Sequence, residues 1–211
     1  MLSKRTLLFF ILIPILFSCS GDTNQKVIIV FEKPPTLKQE QELVLNLSSQ
    51  TSKTNLSKLL SNQNWIKSYL IKKNAFQPLE VFIETKDPKY IWQDRFYLDA
   101  DLTKFLYFGE YPELLHLYIP IELVDRWSQV EDQMQAVMEA YNLKIFSVSY
   151  SEAAGWTFYT ANKLQINLGS DLSFDVFQKL SLTLKYIFEK NLTPSIIDLR
   201  YKDGAALNYG K

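Results

Sequence analysis

The chain closes on Ser195-Ile-Ile-Asp-Leu-Arg-Tyr-Lys-Asp-Gly-Ala-Ala-Leu-Asn-Tyr-Gly210, and this stretch constrains the fold more than any other. Two strand-forming runs flank Asp203-Gly204. Asp-Gly between apolar, alternating runs is a strong short-range hairpin signal, because glycine tolerates the positive φ of a tight turn. The final run, Ala205 to Tyr209, closes the sequence and is therefore expected at a sheet edge. An edge strand carries N–H and C=O groups that can pair with another chain. Binding by strand addition is the function this pattern predicts.

Upstream, strand and helix signals alternate. Val27–Phe31 is a short continuous apolar run, read as a strand. Leu37 to Leu47 carries Leu43, Val44 and Leu47 at helical spacing, and Asn55 is placed to cap a second short helix with Leu56, Leu59 and Leu60. Ile66–Ile71 and Leu79–Ile83 read as strands joined by a turn at Asn74–Pro78. In Leu79-Glu-Val-Phe-Ile-Glu84 the apolar residues alternate, which predicts one buried face. The order is β-α-α-β-β.

Asp87-Pro88 marks a joint. Beyond it, Tyr90–Gln93, Phe96–Asp99, Phe105–Phe108 and Leu114–Ile119 read as strands. Val124–Tyr141 reads as one helix with Trp127, Val130, Met134, Val137 and Met138 on its apolar face. Strands follow at Lys144–Tyr150, Trp156–Tyr159 and Leu164–Leu168. A helix over Phe174–Glu189 then opens after Ser173, with Phe174, Phe177, Leu180, Leu184, Ile187 and Phe188 as its apolar set. The fold class is α+β: a β-α-α-β-β domain followed by an antiparallel-sheet β domain with two helices.

Several function classes are disfavoured. Twenty-three basic residues balance twenty-three acidic ones, which gives no footprint for nucleic acid. His116 is the only histidine and sits in the apolar run Leu-Leu-His-Leu-Tyr, where a structural role outweighs a catalytic one. Cys19 is the only cysteine, so there is no intrachain disulfide and no cysteine-based zinc site. There is no Gly-x-Ser-x-Gly, no phosphate-cradling glycine loop and no His-Glu-x-x-His. The carboxylate pairs Asp99/Asp101 and Glu131/Asp132 read as a turn bracket and a solvated helix face. A non-catalytic protein without metal or cofactor is expected.

Lys4 and Arg5 precede the apolar run Leu7–Phe17, a pattern that sends the remainder of the chain across a membrane. Eleven apolar residues span about 16 Å as a helix, against about 30 Å for a bilayer core. Two readings stand: a short uncleaved anchor tolerated by local thinning, or a lipoprotein-type signal in which Leu16-Phe17-Ser18-Cys19 acts as a lipobox and Cys19 is lipidated. Both place the chain from about residue 26 outside the cytoplasm and tethered to a membrane.

From residue 26 onward the chain resembles the FtsQ/DivIB cell-division family. Four stretches carry the likeness: Asn64-Trp65-Ile66-Lys67-Ser68 with Ile71-Lys72-Lys73; Leu79-Glu-Val-Phe-Ile-Glu-Thr-Lys-Asp-Pro88-Lys-Tyr-Ile-Trp92 continuing to Leu98-Asp-Ala-Asp101; Gly155-Trp156 to Leu168-Gly169; and the closing hairpin Ile197–Tyr209. The resemblance implies an anchor or signal over 1–25, a POTRA domain over 26–86 and an FtsQ-type β domain over 87–211. It implies a divisome scaffold at the inner membrane of the septum, with its bulk in the periplasm. Its partners are an FtsB/FtsL-type complex, held by strand addition to the closing hairpin, and other septal proteins met through the POTRA domain. Arg200, Tyr201, Gly204, Ala205 and Tyr209 match the family's partner-binding hairpin. The departures are Asn64 for a proline, Leu102 for a glycine, and Ala153-Ala154 for a basic pair. A membrane-tethered periplasmic enzyme and a POTRA-type transport or assembly chaperone are the rival readings.

Overall fold

The alternation in Leu79–Glu84 does set a buried face: Leu79, Val81 and Ile83 are all buried. They belong to β3 (Leu79–Thr85), the central strand of a three-stranded sheet. The computed structural model describes residues 27–33, 37–47, 53–73, 78–106 and 111–210. Within these, the chain is a mixed α+β protein that divides into two compact units at Asp87/Pro88. The N-terminal segment with Cys19, most of the turn expected at 74–78, and the expected strand end at 107–108 lie outside the described residues.

In the first unit, β1 (Val27–Phe31), α1 (Leu37–Leu47), α2 (Lys53–Ser61), β2 (Ile66–Lys72) and β3 follow in the order read from the sequence. β3 pairs in parallel with β1 and antiparallel with β2. Leu43, Leu47, Leu56, Leu60 and Trp65 are buried with the β3 residues, so one face of the sheet is the helix-covered face. Asn55 is not the cap of α2. The helix begins two residues earlier, at Lys53, and Asn55 lies in its first turn.

The second unit is built on nine strands: β4 (Tyr90–Trp92), β5 (Phe96–Leu98), β6 (Lys104–Leu106), β7 (Leu115–Tyr118), β8 (Ile145–Ser151), β9 (Gly155–Thr160), β10 (Gln165–Gly169), β11 (Ile196–Asp198) and β12 (Ala206–Asn208). Their order across the sheet is β12-β11-β10-β9-β8-β7-β4-β5-β6. The sheet is mixed, not antiparallel as expected: β10/β11, β7/β8 and β4/β7 run parallel. For the first two the cause is the chain order. Helices α3 (Val124–Ser128) and α4 (Glu131–Glu139) lie between β7 and β8, and α5 (Phe174–Glu189) lies between β10 and β11. A helical crossover returns the chain to the end where it started, so the strands it joins run the same way.

One row of side chains crosses six strands on the covered face: Leu207, Ile197, Ile166, Phe158, Val148 and Leu117, in register from β12 to β7. The last five are fully buried against Trp127, Met134 and Met138 below and Leu180 and Leu184 of α5. The opposite face is polar. Asp198, Asn167, Thr157, Ser149 and Tyr118 form its matching row.

The single helix expected over 124–141 is interrupted. The Val130 N–H bonds the Trp127 carbonyl at 3.0 Å, a three-residue step in place of the α-helical four. The Ser128 hydroxyl takes the Asp125 carbonyl at 2.8 Å, a side-chain bond that competes with the helical ladder. Glu131, expected on a solvated face, is instead largely buried. It accepts the Tyr90 hydroxyl at 2.5 Å and pairs with Lys89 at 3.3 Å. Burial first, and then the bond to Glu131, hold the Tyr90 phenol far above its ordinary pKa. Trp65 and Trp156 are core residues, whereas Trp92 is partly buried and donates its indole N–H to the Ile119 carbonyl at 2.8 Å.

Gly155 opens β9 at φ 71°, and a Cβ there meets the carbonyl carbon and oxygen of Gly169 at 2.1 Å. Those atoms are backbone of the adjacent strand and cannot swing aside. Gly155→Ala is expected to lower unfolding free energy by roughly 3 kcal/mol through clash and strain together. The shift in the urea midpoint measures it.

Candidate partner-binding edge

β11 and β12 pair antiparallel, with Ile196, Ile197 and Asp198 opposite Asn208, Leu207 and Ala206. The hairpin exists, but its connection is not a tight Asp203-Gly204 turn. Seven residues, 199–205, separate the two strands. Leu199 explains the length: it is buried at 3% exposure, so the chain stays on the core beyond Asp198 and cannot turn until later. Lys179 of α5 then holds the loop. Its ammonium donates to the Leu199 carbonyl at 2.9 Å and also to the Tyr201 carbonyl.

Backbone parity decides which groups are free. The Gln165 N–H bonds the Ser195 carbonyl and the Leu199 N–H bonds the Asn167 carbonyl, so odd-numbered residues of β11 address β10. Ile196 and Asp198 therefore address β12, and their partners Asn208 and Ala206 address β11 in return. By alternation, the N–H and C=O groups of Leu207 point away from the sheet, and Ala205 and Tyr209 flank it just beyond the paired residues. β12 ends the strand order, so this is an open edge among the described residues. It also lacks the usual guards. No charge or proline occurs from Ala205 to Tyr209, whereas β2 carries Lys67, Lys72 and an irregular register, and β6 carries Lys104. β1, an edge of the first unit's sheet, is likewise uncharged.

The five hairpin residues singled out in the sequence fall in one region with different surroundings. Tyr201 and Tyr209 are 61% and 52% exposed. Ala205 is partly buried against the core, on the side of Leu207. Gly204 has φ 155° and open space where a Cβ would stand, so its contribution is backbone conformation alone. Arg200 is already engaged: its Nε donates to Asp198 Oδ1 at 2.8 Å and its Nη2 to Oδ2 at 2.5 Å. This fork over Asp198 sits at the rim of a shallow concavity on the polar face, lined by Ser149, Thr157, Tyr159, Gln165 and Asn167. Ala153 and Ala154 are in the β8–β9 turn, where the Ala154 N–H bonds Ser151 Oγ at 3.1 Å.

Other sequence candidates are structural. His116 Nδ1 lies 2.8 Å from Asp94 Oδ1, whose second oxygen accepts the Tyr118 hydroxyl, and the ring packs on Phe146 with centroids 4.8 Å apart. Asp99 Oδ1 accepts the N–H groups of Asp101 and Thr103, closing its own turn. No group of three or more potential metal ligands occurs among the described residues. No helix among them is long and apolar enough to cross a membrane.

No protein-family model matches the chain. The cell division protein FtsQ of Aliivibrio fischeri is 22% identical to it, over 69% of this chain and 57% of that protein. The chain thus spans a little over half the length of this curated relative, a cell-division protein.

The bond from Arg200 holds the Asp198 carboxyl below the ordinary aspartate range, against the opposing effect of burial. A folded pKa below the unfolded one means the pairing contributes stability above about pH 4 and loses it as pH falls further. Arg200→Gln is expected to return the Asp198 titration toward its ordinary value. It should also make hydrogen-exchange protection of 199–205 weaker at neutral pH and less acid-dependent. Carboxyl NMR titration and exchange at pH 7 and pH 3 measure both.

Proposed function

We propose that this chain is a non-catalytic scaffold of the cell-division machinery that binds a partner by accepting a strand on β12. The observation that carries this reading is the uncharged Ala205–Tyr209 edge, in which Leu207 of the outermost strand β12 has its backbone groups facing outward. Strand addition draws affinity from main-chain bonds and specificity from side-chain pockets. Tyr201 and Tyr209 are the side-chain anchors, since half-exposed tyrosines beside such an edge are the residue type that dominates interface energetics. Arg200 acts through Asp198, keeping the loop that precedes the edge in one shape. Gly204 shapes the same loop.

The likeness to a cell-division protein supports the choice of machinery. On this reading, residues 26–86 are a POTRA domain and 87–211 an FtsQ-type β domain. The β1-α1-α2-β2-β3 order of the first unit is consistent with that assignment. The strand donor is an FtsB/FtsL-type complex, and other septal proteins meet the first unit. Residues 1–25 tether the chain to the inner membrane at the septum, as an anchor or through lipid on Cys19.

Backbone parity supplies a sharp test. Ala205→Pro removes a donor that flanks the outer edge and leaves the internal ladder whole, whereas Ala206→Pro removes a donor aimed at Asp198. Ala205→Pro is expected to weaken binding of the organism's own FtsB/FtsL-type complex by at least tenfold, about 1.4 kcal/mol, with an unchanged melting temperature. Ala206→Pro is expected to lower the melting temperature. Equal affinity of Ala205→Pro and the parent chain, measured by calorimetry, overturns the strand-addition reading.

A further inference from the structure

The shallow concavity on the polar face of the second unit has a volume of about 360 Å³, at the small end of the roughly 300–1,000 Å³ common for ligand sites. Its floor is the row Ser149, Thr157 and Asn167, in register across β8, β9 and β10. Tyr159 and Gln165, opposite one another on β9 and β10, line it next to that row, and Arg200 lines it as well. The floor is bonded within itself. The Thr157 hydroxyl donates to Asn167 Oδ1 at 3.3 Å, and Gln165 Nε2 donates to the same oxygen at 2.8 Å. The Gln165 carbonyl oxygen, its second amide hydrogen and the hydroxyl lone pairs of Ser149 and Thr157 keep bonding capacity for a ligand. So does Arg200 Nη1, because Arg200 meets Asp198 through Nε and Nη2.

The charge balance of this wall narrows the ligand class. Arg200 is the only charged residue lining the concavity among the described residues. Its charge is balanced by Asp198, 2.5 Å from Nη2. An anion therefore gains little from a cation already paired, and a cation meets no free carboxylate. A wholly apolar ligand takes water from the hydroxyl and amide groups and returns no hydrogen bond, which is costly. A neutral ligand rich in both donors and acceptors is what fits.

Exposed rings add a second requirement. Tyr159 is 38% exposed and Phe146 45%. Phe146 is outward because of a bulge: Ile145 pairs with Thr160 and Ser147 with Tyr159, so β8 carries one extra residue there. The bulge lets Ile145 and Val148 both reach the core while the Phe146 ring packs on His116, its centroid 4.8 Å away. Phe146 and Tyr159 thus stand on adjacent strands, about 5 Å apart in the pairing direction. Hydroxyls around a rim and C–H groups on two faces are the makeup of a sugar ring. Its faces suit the rings, and its rim suits the amide and hydroxyl row.

We infer that this concavity binds a neutral glycan, one sugar unit lying against Tyr159 over the Ser149–Thr157–Asn167 floor and the next unit against Phe146. The site is separate from the β12 edge and does not rest on the strand-addition reading.

The full chain in lipid nanodiscs, titrated with the dimer and the tetramer of N-acetylglucosamine and followed by ligand-observed NMR, tests this. Heparin is the anionic comparison, and Ala205→Pro is the control at the other site. Saturable binding of the tetramer is expected. Tyr159→Ala and Gln165→Ala are each expected to weaken it about fivefold with unchanged melting temperatures. Phe146→Ala is expected to weaken the tetramer and spare the dimer, and Ala205→Pro to bind as the parent chain does. No saturable binding by the parent chain, unchanged affinity of both Tyr159→Ala and Gln165→Ala, or tighter binding of heparin than of the tetramer overturns the glycan site.

Discussion

Ile197 lies between Ile166 on one side and Leu207 on the other, and all the geometry at the candidate edge follows from that register. Side chains on a strand alternate with period two, and so do the backbone groups that pair with its neighbours. Burying Ile197 and Leu199 in the core settles which residues of β11 face inward. The same parity sends the backbone of Ile196 and Asp198 to β12 and leaves Leu207 with outward groups. A slip of one residue exposes Ile197, and losing a buried isoleucine costs about 2–5 kcal/mol. That is more than one backbone hydrogen bond contributes, at about 1 kcal/mol net. Core burial therefore dictates the edge, not the ladder itself.

The loop of residues 199–205 depends on polar contacts, and these are different in kind. Lys179 is tethered to two carbonyls from α5, and Arg200 is folded onto Asp198. Arg200 is half exposed, so solvent screens its charge and the pair contributes little to global stability. Its effect is local order: it holds the exposed stretch between buried Leu199 and partly buried Ala205 in one conformation next to a free edge. A preformed edge saves the ordering cost that a binding event otherwise carries.

The nine-stranded sheet gains its size from two helical crossovers, and both put helices on the same face. That segregation leaves the other face to Asn167, Thr157, Ser149 and their neighbours, and it packs the buried residues of α5 into the same core as Trp127, Met134 and Met138. β12 is thus open along its outer rim among the described residues. A free edge alone is a general hazard of pairing with any strand.

Much of this was legible residue by residue. Alternation at Leu79–Ile83, the helical spacing of Phe177, Leu180, Leu184 and Ile187, and the pairing of the closing runs are local properties, and the structure keeps them because burial rewards the same period the sequence carries. A likeness of the chain to a cell-division protein was also readable from the sequence. Tertiary structure alone decided the rest. It made the sheet mixed, although strand-helix-strand order already contained that signal. It lengthened the hairpin loop, because Leu199 found a place in the core. It buried Glu131 under Tyr90, tied Arg200 to Asp198, and left Phe174 outside the core that its spacing had promised. Each of these outcomes depends on residues far apart in the chain meeting in space, and no local period encodes such a meeting.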